Sequence, residues 1–99
     1  MSKLSSTIAT KNPGKGKKGP RIDEARYDAM KAAILAVVPR DGDGVTFASL
    51  AKLVEKRLPG DVFAGASIPW YATTVKLDLE ARGLIERIPG ITPQRLRRL

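Results

Sequence analysis

The sequence predicts a mainly α domain with three helices, a small antiparallel β-hairpin at the C-terminal end and a disordered basic arm in front. Apolar residues recur at helical spacing in three separate segments, each closed by proline or glycine. After Gly83 the pattern changes to two short strand-like runs around Pro89-Gly90. Residues 1–21 hold only Leu4 and Ile8 as large aliphatics, too little apolar surface to offset the entropy of ordering a backbone. The expected division is therefore a flexible basic arm over 1–21 and a folded domain over 22–99.

The first helix is expected from Asp23 to Val38. At 100° per residue Tyr27, Met30, Ile34, Val37 and Val38 share one side, and Asp23 and Glu24 suit the positive end of the helix dipole. Pro39 and the turn Asp41-Gly42-Asp43-Gly44 stop it. Val45 leaves room for a very short strand, and Thr46 is placed to cap a second helix from Phe47 to Leu58, with Phe47, Leu50, Ala51, Val54 and Leu58 inward. A loop from Pro59 to Pro69 follows, and its Val62, Phe63 and Ile68 are apolar enough to pack on the body. The third helix is expected from Trp70 to Arg82, with Ala72, Val75 and Leu79 inward and Gly83 as the left-handed residue past its end. Leu84–Ile88 and Gln94–Leu99 then form the hairpin.

Composition narrows the chemistry. The chain has 99 residues, enough for one core, with no cysteine and no histidine. It thus lacks thiolate nucleophiles, disulfides, imidazole bases and the usual zinc ligands. No apolar run reaches the roughly 20 residues of a membrane helix, and the hydrophobic segment of a secretory signal is missing. The sequence reads as a cytoplasmic protein that is not an enzyme, with no cofactor, no metal and no evident small-molecule ligand.

The formal charge of +8 is unevenly spread: residues 1–21 carry +6, 22–86 carry −2 and 87–99 carry +4. A slightly acidic body with two basic ends points to a polyanionic partner, nucleic acid above all. A tail kept soluble by its charge is the alternative.

The segment Thr73-Thr74-Val75-Lys76-Leu77-Asp78-Leu79-Glu80-Ala81-Arg82-Gly83-Leu84-Ile85-Glu86-Arg87 resembles the recognition helix and first wing strand of bacterial winged helix-turn-helix regulators. The resemblance spans residues 24–99. The chain is also similar to small uncharacterised bacterial winged-helix proteins that share its Trp-Tyr and Val-Lys-Leu-Asp-Leu-Glu-Ala-Arg-Gly stretches. The resemblance implies a three-helix winged helix-turn-helix domain whose third helix enters the major groove while the wing touches phosphate. It implies a transcriptional regulator or a nucleoid-type binder acting on duplex DNA.

The residues placed on nucleic acid are Lys15, Lys17 and Lys18 of the arm, Thr73, Thr74 and Lys76 of the third helix, and Arg87, Gln94, Arg95, Arg97 and Arg98 of the wing. Helical projection puts Trp70, Thr73, Thr74, Leu77 and Ala81 outward. That face lacks the Arg, Lys, Asn or Gln that commonly read base edges. Trp70, Leu77 and Ala81 therefore support the alternative of a protein-interaction module or a homodimer contact. A third reading takes the arm to an acidic membrane surface or to ribosomal RNA.

Other motifs lose their meaning in context. Gly14-Lys-Gly16-Lys-Lys-Gly19 has the letters of a dinucleotide fingerprint without the preceding strand or following helix. Asp41-Gly-Asp43-Gly begins like a calcium loop, yet its twelfth position is Lys52. Ser49-x-x-Lys52 lacks the remaining motifs of penicillin-recognising enzymes. Trp70-Tyr71 fits a core and loop anchor better than a platform for stacked bases.

Overall fold

A computed structural model describes residues 6–14, 16–90 and 93–99. Its elements in chain order are β1 (Thr7–Lys11), β2 (Lys18–Asp23), α1 (Glu24–Val37), β3 (Val45–Thr46), α2 (Phe47–Glu55), α3 (Ile68–Ala81), β4 (Ile85–Arg87) and β5 (Arg95–Arg98). The strands form two small antiparallel sheets, β1-β2 and β3-β5-β4. The architecture is thus mixed, three helices with two sheets, where a mainly α domain with one hairpin was expected.

The largest departure is at the start of the chain. Most of the stretch expected as a disordered arm is the β1–β2 hairpin, in which Ile8 pairs with Ile22 and Lys11 with Lys18. The physical reason is burial against distant residues. Ile22 and Thr10 are buried and Ile8 is partly so, packed against the common core. The Lys11 backbone N–H also donates to Asp78 Oδ1 on α3 at 2.8 Å. Ordering the hairpin is therefore offset by contacts to residues as far as 67 positions away, which the apolar content of the segment itself does not reveal. Lys15 lies outside the described residues.

Between Ala9 and Lys11 the register slips: Gly19 and Pro20 stand opposite the single Thr10. This is a β-bulge on β2. Thr10 donates its hydroxyl to the Pro20 carbonyl and fills the space a Gly19 side chain would need, since a Cβ there would lie 2.1 Å from Thr10 Oγ1.

The helices begin where their caps dictate. Asp23 accepts from the Arg26 N–H at 3.1 Å, Thr46 from Ser49 at 3.2 Å, and Ser67 from Trp70 at 3.3 Å. The Ser67 cap starts α3 two residues before the expected Trp70 and places Pro69 inside the first turn, where its missing N–H costs nothing. Helix α2 ends at Glu55, short of the expected Leu58. The N–H groups of Arg57 and Leu58 turn back three residues, to Val54 and Glu55, because the residue before Pro59 is disfavoured in helical conformation. Gly83 takes φ +78° directly after α3, as expected of it.

One core joins all of this. Met30, Ile34, Leu50, Val54, Ala72, Val75, Leu79, Ile85 and Leu96 are fully or almost fully buried. The loop between α2 and α3 is tied in by Phe63, which packs edge-on against Tyr71 with ring centroids 5.6 Å apart. Arg26 holds the same loop, donating to the Val62 carbonyl at 2.9 Å and to the Tyr71 hydroxyl at 3.0 Å. Gly44 allows the closest approach in the second sheet: a Cβ there would lie 2.4 Å from the Leu96 carbonyl oxygen, and its φ is +73°. Among the described residues no helix is long and apolar enough to cross a membrane.

Candidate nucleic-acid interface

Helix α3 is enclosed on three sides. Its Ala72, Val75 and Leu79 face the core, and the side bearing Asp78 and Thr74 is buried. There β1 lies across the helix, with Lys11 bonded to Asp78 and the Ala9 carbonyl 3.5 Å from an Arg82 guanidinium nitrogen. Thr74, expected to face a groove, is buried on this same side of the helix, one turn before Asp78. On the opposite flank Lys76, expected as a phosphate contact, is also buried: its Nζ lies 2.9 Å from Glu80 Oε2 and 5.7 Å from the Phe47 ring centroid. The Lys76 approach is close but poorly aligned, and Glu80 Oε2 has no hydrogen-bond partner among the described residues.

What remains outward on α3 is Trp70, at 46% exposure, and Thr73, with Leu77 and Ala81 half-buried. The Thr73 hydroxyl already donates to the Pro69 carbonyl at 2.9 Å. Trp70 leans edge-on against Tyr71, centroids 4.9 Å apart. This stripe offers no bidentate donor to a base edge.

The wing is more neutral than its sequence suggests. Arg87 Nε donates to Glu80 Oε1 at 2.8 Å, and Arg97 Nε donates to Glu86 Oε2. Arg98 donates to the Leu35 carbonyl at 2.8 Å, which docks β5 on α1. Arg95 and Gln94 are half-buried, and no acid pairs with Arg95 among the described residues. Of the four wing arginines expected on phosphate, three are thus engaged within the fold.

The hairpin presents the opposite picture. Lys11, Lys17, Lys18 and Arg21 are all exposed, and none has an acidic partner among the described residues. Strict alternation would put Lys18 on the same side as the buried Ile22, four residues away. The bulge adds one residue and turns Lys18 outward, directly across from Lys11. Lys11 and Arg21, which sequence alone does not single out, join this exposed cationic face, because their side is fixed only once the register is known. The hairpin turn reaches the far end of α3: Pro13 and Gly14 border an open groove of about 500 Å³ with Glu80, Gly83, Arg87 and Leu99.

Asp78 positions this assembly. It is completely buried and accepts from Tyr27 Oη at 2.5 Å, from Arg82 Nε at 2.9 Å and from the Lys11 N–H. Burial and the bond to Asp78 push the Tyr27 hydroxyl up from 10.0 to about 12. The same carboxylate, through its bond to Arg82, strengthens that guanidinium's hold on its proton. An acid one residue before the core Leu79, with Arg82 four positions on, was the signal available in the sequence.

No curated protein and no solved structure matches the chain. A family does match, over residues 7–96, from the first residue of β1 to the buried leucine of β5. The match takes in the N-terminal hairpin together with the three helices and the second sheet, and on that span the chain belongs to the family of unknown function DUF6958.

Proposed function

We propose that the chain is a nucleic-acid-binding protein on a winged-helix frame, one that grips phosphates rather than reading bases. Support for the frame comes from the order α1, β3, α2, α3, β4, β5, with β5 between β3 and β4. The observation that carries the function is the distribution of cation partners. Acids neutralise Lys76, Arg82, Arg87 and Arg97, on or after α3 and in the second sheet; the exposed Arg40, Lys52, Lys56 and Arg57 have no acidic partner among the described residues either, but the hairpin gathers four such cations, Lys11, Lys17, Lys18 and Arg21, on one ribbon. Unneutralised charge of this kind favours a polyanion through counterion release. The exposed stripe of α3 lacks base-reading side chains, so a nucleoid-type binder fits better than an operator-specific regulator.

The test is fluorescence anisotropy of a labelled random duplex against the full chain over a range of salt. Affinity should fall linearly on logarithmic axes with a slope steeper than about −3. Absent or salt-independent association refutes the reading. The rival reading, a protein-interaction module, draws on Trp70 at 46% exposure beside Leu77 and Ala81. It is favoured instead if Trp70 emission shifts with protein concentration and not with DNA.

A further inference from the structure

We propose that the outer face of the β1–β2 ribbon, rather than α3 or the C-terminal hairpin, is the contact surface, and that it takes the phosphodiester backbone of duplex DNA. The proposal rests on the nucleic-acid reading above and assigns it to an element.

Three observations converge on this face. Lys11 and Lys18 are directly opposed in the register, an arrangement of like charges that destabilises an isolated ribbon. The fold keeps it regardless: the bulge at Gly19-Pro20 turns Lys18 outward, and Asp78 pins the Lys11 backbone from below. Arg21 shares the outer face through its pairing with Ala9, and its Nε is steadied by Thr7 Oγ1 at 3.1 Å. With Lys17 in the turn, four cations stand on a ribbon whose inner side is anchored by Ile8, Thr10 and Ile22.

The chemistry of the face selects among polyanions. Its other exposed side chains are Thr7, Ala9 and, at the bulge, Pro20, so it has no large apolar group to insert into a bilayer. Nor has it an aromatic ring on which an unpaired base could stack. A two-stranded ribbon is, by contrast, an element that the major groove of duplex DNA admits. Cations along its outer face then meet the phosphates that line the groove, with no dependence on sequence.

The experiment compares four full-length proteins on one random duplex across a roughly fourfold range of salt: the parent chain, Lys11→Gln/Lys18→Gln, Arg95→Gln/Arg97→Gln, and Lys52→Gln/Lys56→Gln as an equal charge reduction on exposed positions of α2 and its cap. The ribbon variant should make the logarithmic salt slope shallower by about 2, and the other two should leave it nearly unchanged. Its melting temperature at low salt should equal or exceed the parent's, since a repulsion has been relieved. If the wing variant carries the change, or all three variants weaken binding equally, the ribbon assignment is overturned while the nucleic-acid reading stands. If the parent binds no duplex, both fall. Salt-sensitive binding of the parent to anionic vesicles but not to duplex overturns both in favour of a membrane surface. A lower melting temperature for the ribbon variant overturns the claim that the opposed lysines are held against their own repulsion.

Discussion

Tyr27 donates its hydroxyl to Asp78 across the α1–α3 interface at 2.5 Å, and both residues are buried. Asp78 also holds the Lys11 N–H of β1 and the Arg82 guanidinium. A single carboxylate therefore ties the N-terminal hairpin, the first helix and the end of the third helix together. Such a group is tolerated in a core only while its donors satisfy it.

Removing the acceptor should consequently do more than removing any one donor. Asp78→Ala leaves a buried hydroxyl and a part-buried amide without their partner and should lower stability by about 3–5 kcal/mol. Tyr27→Phe removes one bond to a charged group and should lower it by about 1.5–3 kcal/mol. Urea unfolding of both single variants and of the double variant should give a clearly sub-additive sum, because the two changes remove the same bond. Additive losses would mean that the residues act independently.

The same pair sets an alkaline limit. The folded state holds the Tyr27 proton up to about pH 12, against 10.0 for an unperturbed tyrosine. A raised folded value gives stability that is complete below the unfolded value and is lost as pH rises through the folded one. The relevant window runs from pH 10 to about 12, and the gap is worth roughly 2–3 kcal/mol. The difference in unfolding free energy between the parent and Tyr27→Phe, followed across that window, should shrink by this amount. A constant difference would show that Tyr27 does not titrate with unfolding.

What could be read from the sequence was what local chemistry decides. Thr46 caps α2 by its own side chain, and Gly83 takes positive φ immediately after α3. The inward faces of the helices follow from spacing, and Ala72, Val75 and Leu79 are buried as periodicity requires. The hairpin is not legible locally because its buried Ile22 lies one residue past the basic segment 1–21, and because its anchor, Asp78, is remote in sequence. Thr74 and Lys76 project outward only if nothing packs beside α3; the hairpin and Phe47 do. The wing arginines look free until tertiary structure brings Glu80 and Glu86 to Arg87 and Arg97. Lys18 is the most specific case, since one extra residue in β2 reverses the face that alternation assigns to it.

That reversal can be tested without altering any charge. Gly19→Ala would place a Cβ 2.1 Å from Thr10 Oγ1 and 3.1 Å from the Thr10 carbonyl oxygen. Thr10 is buried and bonded to the Pro20 carbonyl, so it has little room to retreat. The bulge must therefore open, at a loss of about 1–3 kcal/mol. Hydrogen exchange at the Lys11 amide, which donates to Asp78, should accelerate. Because the bulge is also what turns Lys18 toward Lys11, duplex affinity should fall although every cation is retained. Adding Thr10→Ala removes the Oγ1 contact and should recover part of the lost stability, leaving the contacts to the residue-10 Cβ at 3.0 Å and to its carbonyl oxygen at 3.1 Å as the remainder of the defect. Unchanged exchange at Lys11 in Gly19→Ala would show that the ribbon accommodates a side chain there, and that its outward lysines do not depend on the bulge.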